Sequence, residues 1–295
     1  MRSRPCVFAI LMSGAALVVN AQDSITLHDS ARNRDIPIKV YAPSGGARSL
    51  PLIVFSHGFG GNRDDYAYLG KGWSEAGYVV ILPTHADSDR AALNLKSLKK
   101  VKDPQWTFDQ QVERTADVAY VISSINQIER EIPSLSGRID LSHIGASGHS
   151  EGAGTALLLG GATAGPTGGA RRVFRDQRVS AVIAMSPQGP GEEGFNDQSW
   201  NDIRIPTMTM SGTKDSGVGN ESPPWRVEPY QHMPPGDKYH ALLNGARHLS
   251  FALAGPRFRS CILSVTTAFW DSYLKDVNAA KARIQTTGAC MVSRK

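Results

Sequence analysis

A serine becomes a useful nucleophile only where the chain exposes it, sets a base beside it and aims donors at the charge it generates. One stretch of this sequence has the residue types for that: Gly148-His149-Ser150-Glu151-Gly152, which follows an apolar run over residues 144–147 and opens the small-residue stretch Ala153-Gly154-Thr155-Ala156-Leu157-Leu158. Glycines two residues to either side leave room for a sharp strand-to-helix turn with Ser150 at its apex. The same position at a helix N-terminus favours the negative charge that forms during acyl transfer. The five-residue pattern is weak by itself; the strand before it and the helix after it are what give it weight.

Acyl transfer also needs two N–H groups for the oxyanion. Glu151, next after the serine, supplies one by position. The second is expected from His57-Gly58-Phe59-Gly60-Gly61, which follows the apolar run 52–56 and whose glycines let the backbone turn across the nucleophile; Phe59 is the expected donor.

The base must come from eight histidines. His28, His143 and His240 lie in or beside expected strands, His149 is fixed in the turn, and His57 and His85 end strands that precede Ser150. His248, in Asn244-Gly245-Ala246-Arg247-His248-Leu249-Ser250-Phe251, follows the last expected parallel strand and precedes the last helix, from where a loop can deliver an imidazole. His232, in a Pro-rich loop, is the alternative. A carboxylate must hold that imidazole in one tautomer, and Asp215, in Ser211-Gly212-Thr213-Lys214-Asp215-Ser216 just past another apolar run, gives the chain order Ser, Asp, His. Asp237 and Glu228 are the alternatives; neither ends a strand.

These residues need strands that end together. Runs at 52–56, 78–83, 144–147, 179–185, 207–211 and 239–243 are apolar without alternation, as strands of a parallel sheet covered on both faces must be, and helical stretches lie between them. Two earlier runs, 24–28 and 36–41, are expected as an antiparallel entry, closed by Ala42-Pro43-Ser44-Gly45-Gly46. The fold class is therefore α/β, a mostly parallel sheet of about eight strands with helices on both faces. A helix is expected over 109–128, begun by a capping box of Thr107 and Gln110, and another after Pro256 with Ile262, Val265, Phe269 and Tyr273 on one face. The Gly-rich stretch 160–169 reads as a surface loop.

Composition bounds the rest. With 295 residues, 41% hydrophobic and 20% charged, the chain can bury a large core. Its start, Met1-Arg2-Ser3-Arg4 followed by an apolar run over 7–19 and small residues at Val19 and Ala21, reads as a secretory signal cleaved after Ala21, leaving residues 22–295 as one domain. The run falls short of the roughly 20 apolar residues that span a bilayer, and Ser13 and Gly14 interrupt it, so no stable membrane anchor is expected. The net charge is +5, and without Arg2 and Arg4 it is about +3, too mild for a nucleic-acid-binding surface. Export places the protein in the periplasm or the medium and leaves Cys261 and Cys290 as one possible disulfide, worth about 3 kcal/mol by chain entropy, or as two buried thiols.

Together these motifs resemble the α/β-hydrolase superfamily. Within it, the segment IVFSHGFGGNRDDYAYLGKGWSEAGYVVILPTHADSD, residues 53–89, resembles the platelet-activating-factor acetylhydrolase and dienelactone-hydrolase-like group, with bacterial cutinases and polyester hydrolases as relatives. The resemblance spans most of the chain after residue 21. It implies a small or polymeric carboxylic-ester substrate, no cofactor, Ser150, Asp215 and His248 as the triad, and Phe59 and Glu151 as oxyanion donors; a C-terminal disulfide in the cutinase-like enzymes favours the Cys261–Cys290 pairing. Two departures matter. Dienelactone hydrolases carry cysteine where this chain has Ser150, and an acidic residue at 151 is less usual than Met, Phe or Gln. The expectation is that the Glu151 side chain faces solvent; were it to line the site, it would repel anionic substrates.

The loops 188–201 and 216–235 are short and 86–106 is polar, so an open cleft is expected, walled by aromatic residues among Phe59, Trp106, Phe195, Trp200, Trp225 and Tyr230. No His, Asp or Glu cluster has metal-ligand spacing in sequence, and Asp87 with Asp89 does not make a calcium loop. An esterase is the leading expectation. A peptidase sharing the triad usually carries a further domain, and a non-catalytic binding protein on this fold normally lacks a triad member.

Overall fold

A computed structural model describes residues 21–86, 89, 99–100, 103–217 and 219–295. Residues 1–20, which carry most of the expected export signal, and Asp87 lie outside them. In chain order the strands are β1 (Ala21–Asp29), β2 (Arg34–Ala42), β3 (Leu50–Ser56), β4 (Val79–Pro83), β5 (Ile139–His149), β6 (Thr163–Ala164), β7 (Arg172–Val173), β8 (Val179–Met185), β9 (Thr207–Gly212), β10 (Lys238–Leu243) and β11 (Cys290–Arg294). The helices are α1 (Ala67–Glu75), α2 (Pro104–Ser123), α3 (Ile125–Glu131), α4 (Glu151–Gly160), α5 (Glu228–His232) and α6 (Pro256–Leu274).

Nine strands form the main sheet in the order β1-β2-β4-β3-β5-β8-β9-β10-β11. The run from β4 through β10 is parallel; β1 with β2, β2 with β4, and β10 with β11 pair antiparallel. Every residue of β3 is buried, and the strand's period of two sends its side chains alternately to two cores. Leu52 and Val54 join Phe108, Val118, Val121 and Ile122 of α2 and Leu157 and Leu158 of α4. Ile53 and Phe55 join Leu69 and Trp73 of α1 and Ile262, Val265, Phe269 and Trp270 of α6. An unalternating apolar strand is thus what a layer between two helical layers demands.

The sheet expected with about eight strands has nine, because Cys290-Met291-Val292-Ser293-Arg294 adds an edge strand with only its first residue fully buried, a pattern that carries little hydrophobic signal. Two other expectations need correction. The helix expected over 109–128 begins at Pro104, and the Thr107/Gln110 capping box does not form: Asp103 caps it by accepting from the N–H groups of Gln105 and Trp106, with Pro104 in the first turn, while the Thr107 hydroxyl bonds the Pro104 carbonyl. It ends at Ser123, and α3 is a separate short helix. The stretch 160–169 also contains β6, which pairs with β7 as a two-stranded ribbon. Cys261 near the start of α6 and Cys290 at the head of β11 form a disulfide with Cα atoms 5.8 Å apart.

Candidate active site

Ser150 joins β5 to α4 at φ 56°, ψ −122°, a positive-φ conformation that is costly for a residue with a side chain. The turn closes because its neighbours lack Cβ atoms: one on Gly148 would overlap the Gly152 carbonyl, and one on Gly152 would overlap the Ser56 carbonyl of β3. The Ser150 N–H bonds Met185 O of β8 at 2.9 Å, which holds the strained apex against the sheet.

Three side chains converge there. His248, in the loop after β10, sets Nε2 2.9 Å from Ser150 Oγ. Its Nδ1 lies 3.1 Å from Asp215 Oδ1, just past the end of β9. Ser150 is 8% exposed and lines the cleft, whereas Asp215 is 0% exposed and shut away from solvent. Two further residues hold that carboxylate. The Ser186 hydroxyl donates to Asp215 Oδ2 at 2.6 Å and lies 2.8 Å from His248 Nδ1, and Arg226 Nε lies 2.8 Å from Asp215 Oδ1. Arg226 is itself buried, with Nη1 donating to the Ser186 and Pro187 carbonyls and to Gln188 Oε1.

His149 is buried, and burial beside His248 holds its pKa well below the usual histidine value. As a neutral ring it donates from Nε2 to the His248 carbonyl at 3.1 Å and accepts at Nδ1 from the Tyr66 hydroxyl at 2.8 Å. The Tyr66 oxygen in turn faces the Gly58 N–H at 3.4 Å. The loop 57–61 therefore reaches the serine turn through Tyr66, and a Cβ on Gly58 would come to 3.2 Å from Ser150 Cβ.

Beneath this loop lies a bed of buried polar groups. His57 donates from Nδ1 to Gly58 O at 2.8 Å, and its Nε2 accepts the His85 N–H at 3.0 Å. His85 joins Ser56 Oγ and Asp117 Oδ2, both at 2.8 Å, and burial, with Arg114 nearby, lowers its pKa to about 4. The Glu151 side chain does not face solvent. It is 4% exposed, with Oε2 2.6 Å from Arg114 Nη2 in a close ion pair without hydrogen-bond alignment, and burial raises its pKa against the pull of Arg114. Glu193, buried near it, is raised well above the usual carboxylate value by burial and then by Glu151, and it accepts from Gln111 Nε2 at 2.8 Å.

A cleft of about 450 Å³ opens over Ser150 and His248. Phe59 and Trp225 line it, and Trp106 stands edge-on to Phe59 with ring centroids 5.9 Å apart. Trp200 and Phe195 do not wall it: they are 0% and 3% exposed and pack on each other at 5.5 Å, so each serves the core. Tyr230 faces His240 instead. Leu249, Ala252 and Leu253, all within five residues after His248, form an apolar rim that sequence reasoning missed. Leu249 and Leu253 are 61% and 77% exposed.

The alternative residues lie elsewhere. His232 stacks on Trp200 in α5, and Asp237 pairs with Lys281 and Arg294. Asp197, Glu228 and His232 bring ligand-type atoms within 4.8 Å of one another, a grouping without a sequence pattern, and none of the three lines the cleft.

A mostly parallel sheet between two helical layers, with a serine on the strained turn from its β5 strand into the next helix, decides the architecture. The chain has the α/β-hydrolase fold. A family model for platelet-activating factor acetylhydrolase, isoform II, matches residues 24–132 of this chain, a segment that ends before Ser150. Cutinase est2 of Thermobifida alba is 26% identical over 202 residues, 67% of this chain and 52% of the cutinase. Cutinase est1 of the same organism is 25% identical over 202 residues, with 53% of its length covered. The platelet-activating factor acetylhydrolase of Cavia porcellus is 24% identical over 179 residues, 52% of this chain and 38% of that enzyme. The chain thus spans about half the length of the cutinases it matches and less of the acetylhydrolase.

Proposed function

We propose that this protein is a serine carboxylic-ester hydrolase acting through an acyl-enzyme on short acyl, aryl or polymeric esters. One observation carries the reading: Ser150 Oγ, His248 and Asp215 form a continuous line of contacts, 2.9 Å and 3.1 Å, at the base of an apolar cleft.

In this mechanism His248 Nε2 takes the Ser150 proton as Oγ attacks the ester carbonyl, and Asp215 steadies the imidazolium that results. The N–H groups of Phe59 and Glu151 meet the oxyanion; the Gly58 and Gly61 N–H groups are already directed to Tyr66 and Gly58 O. Collapse expels the alcohol with the proton from His248. Water, deprotonated by the same histidine, then releases the acid. All of these groups belong to the chain, and the chemistry calls on no cofactor. Phe59, Trp106 and Trp225 contact the acyl or alcohol group.

Export of residues 22–295 after removal of 1–21 belongs to the same reading. The Cys261–Cys290 disulfide supports an oxidising destination, and no helix among the described residues is long and apolar enough to cross a membrane.

The test is hydrolysis of p-nitrophenyl acetate, butyrate and octanoate, with peptide p-nitroanilides alongside, by the protein and by Ser150→Ala. Ester turnover lost in the variant, with anilides untouched, is expected. Equal turnover by both proteins, or preferential anilide cleavage, overturns the proposal.

A further inference from the structure

One buried side chain touches both segments that carry the proposed oxyanion donors. Arg114, in the middle of α2 and 1% exposed, directs Nη1 to the His57 carbonyl at 2.6 Å and to Ser56 Oγ at 3.3 Å. These atoms belong to the segment that leads into Phe59. Its Nη2 meets the carboxylate of Glu151, the other donor residue, at 2.6 Å. One turn earlier on the same helix face, Gln111 Nε2 donates to the Glu151 carbonyl at 2.7 Å, and Gln111 Oε1 accepts from the Thr155 hydroxyl of α4 at 2.9 Å. The start of α4 is thus held by its first side chain and its first carbonyl from one face of α2.

We propose that Arg114 is a positioning residue that sets the aim of the two oxyanion-donating segments. The proposal rests on the serine-hydrolase reading above. An oxyanion hole works because its donors are already spaced for the tetrahedral intermediate and need not reorganise as charge develops. The segment that follows β3 and the start of α4 meet here through the close approach of Gly152 to the Ser56 carbonyl, a contact that limits how near they come without fixing how their two N–H groups are aimed, so that aim has to be set by side chains. A guanidinium is a planar, rigid fork that can brace both sides at once; an ammonium on a flexible stem carries the same charge without that span. The otherwise unexpected acidic residue after the nucleophile then has a purpose. Its backbone faces the oxyanion, while its carboxylate is the anchor for the brace.

The test is steady-state kinetics on p-nitrophenyl butyrate for Arg114→Lys, Glu151→Gln and the double variant, with inhibition by a butyl boronic acid, which adds to the serine as a tetrahedral anion, and by an unreactive butyramide. Arg114→Lys is expected to lower kcat about 10- to 100-fold with KM within about twofold of wild type. Boronate affinity should fall in step with kcat while butyramide affinity holds. Glu151→Gln, isosteric and with its backbone N–H intact, should show the same split at smaller size, and the double variant should be close to Arg114→Lys alone because both changes cut one strut. Full kcat in Arg114→Lys would mean that charge alone matters and would overturn the proposal, as would a loss confined to KM or an unchanged boronate affinity. Wild-type turnover that survives Ser150→Ala would instead remove the serine-hydrolase reading, a result these variants cannot mimic.

Discussion

Arg226 Nε stands 2.8 Å from Asp215 Oδ1, with both side chains fully buried. The carboxylate behind His248 is thus balanced by a cation that lies 11 residues further along the chain, in the 3-10 turn Pro223–Val227 before α5. A buried pair of this kind is weak evidence for stability, but breaking one leaves an uncompensated charge.

Arg226→Met should therefore cost about 3–5 kcal/mol of stability. It should also depress kcat, because Asp215 would lose the partner that fixes its orientation. Asp215→Asn keeps the shape and reverses the hydrogen-bonding sense toward His248 Nδ1, with an expected fall in kcat of about 10,000-fold, and it should also lower stability because it leaves the buried Arg226 charge uncompensated. Denaturant unfolding and ester kinetics on both variants test this. Near-wild-type kcat in Asp215→Asn would dismiss Asp215 from the relay.

Much of this site is legible in sequence. Ser150, Asp215 and His248 each follow an apolar run, and a parallel sheet brings the ends of such runs to one edge. Glycines at 148, 152 and 58 mark where backbones must touch. Arg114, Ser186 and Arg226 could not be found the same way. Each acts on a partner distant in sequence, and a buried arginine looks in sequence like a solvated one until its counter-ion is known. Trp200 misled for a related reason: an aromatic residue in a loop reads equally well as a cleft wall or as the plug that pins the loop to the core. The edge strand β11 has no apolar run to announce it.

That difference between tryptophans is measurable. Trp225→Ala should raise KM for octanoate esters more than for acetate and leave the fold intact, since Trp225 lines the cleft. Trp200→Ala should cost about 3–5 kcal/mol through the cavity it leaves, with KM unchanged in whatever protein remains folded. A KM effect on long chains from Trp200→Ala alone would reverse the assignment.

His240 offers a prediction about pH. It is buried between Thr209 and Ser211, and burial lowers its pKa to about 4. In the unfolded chain it takes up a proton near the usual value of 6.5. The unfolded state therefore binds more protons between these limits, and stability is lost as pH falls from about 6.5 toward 4, by up to roughly 1.4 kcal/mol per pH unit for one such histidine. His85 acts in the same direction. Urea unfolding in steps from about pH 7.5 to pH 4.5 should show this slope in the wild type and a shallower one in His240→Gln. Identical slopes would show that His240 is not a buried neutral ring.

The disulfide joins the last helix to the last strand across 29 residues. Reduction should cost about 3.6 kcal/mol by the chain-entropy estimate and loosen β11, which lies at the sheet edge, before the strands that bear Ser150 and Asp215. Hydrogen exchange with and without reductant reads both effects. Uniform loss of protection across the sheet would contradict the localisation.

The most direct measurement of the central claim is to quench the protein with acid during turnover of p-nitrophenyl butyrate and locate the acyl group by peptide mass spectrometry. The mechanism requires a butyryl ester on Ser150, absent in Ser150→Ala and diminished in His248→Ala. An acyl group on another residue, or steady hydrolysis with Ser150 unmodified in every quenched sample, would contradict it.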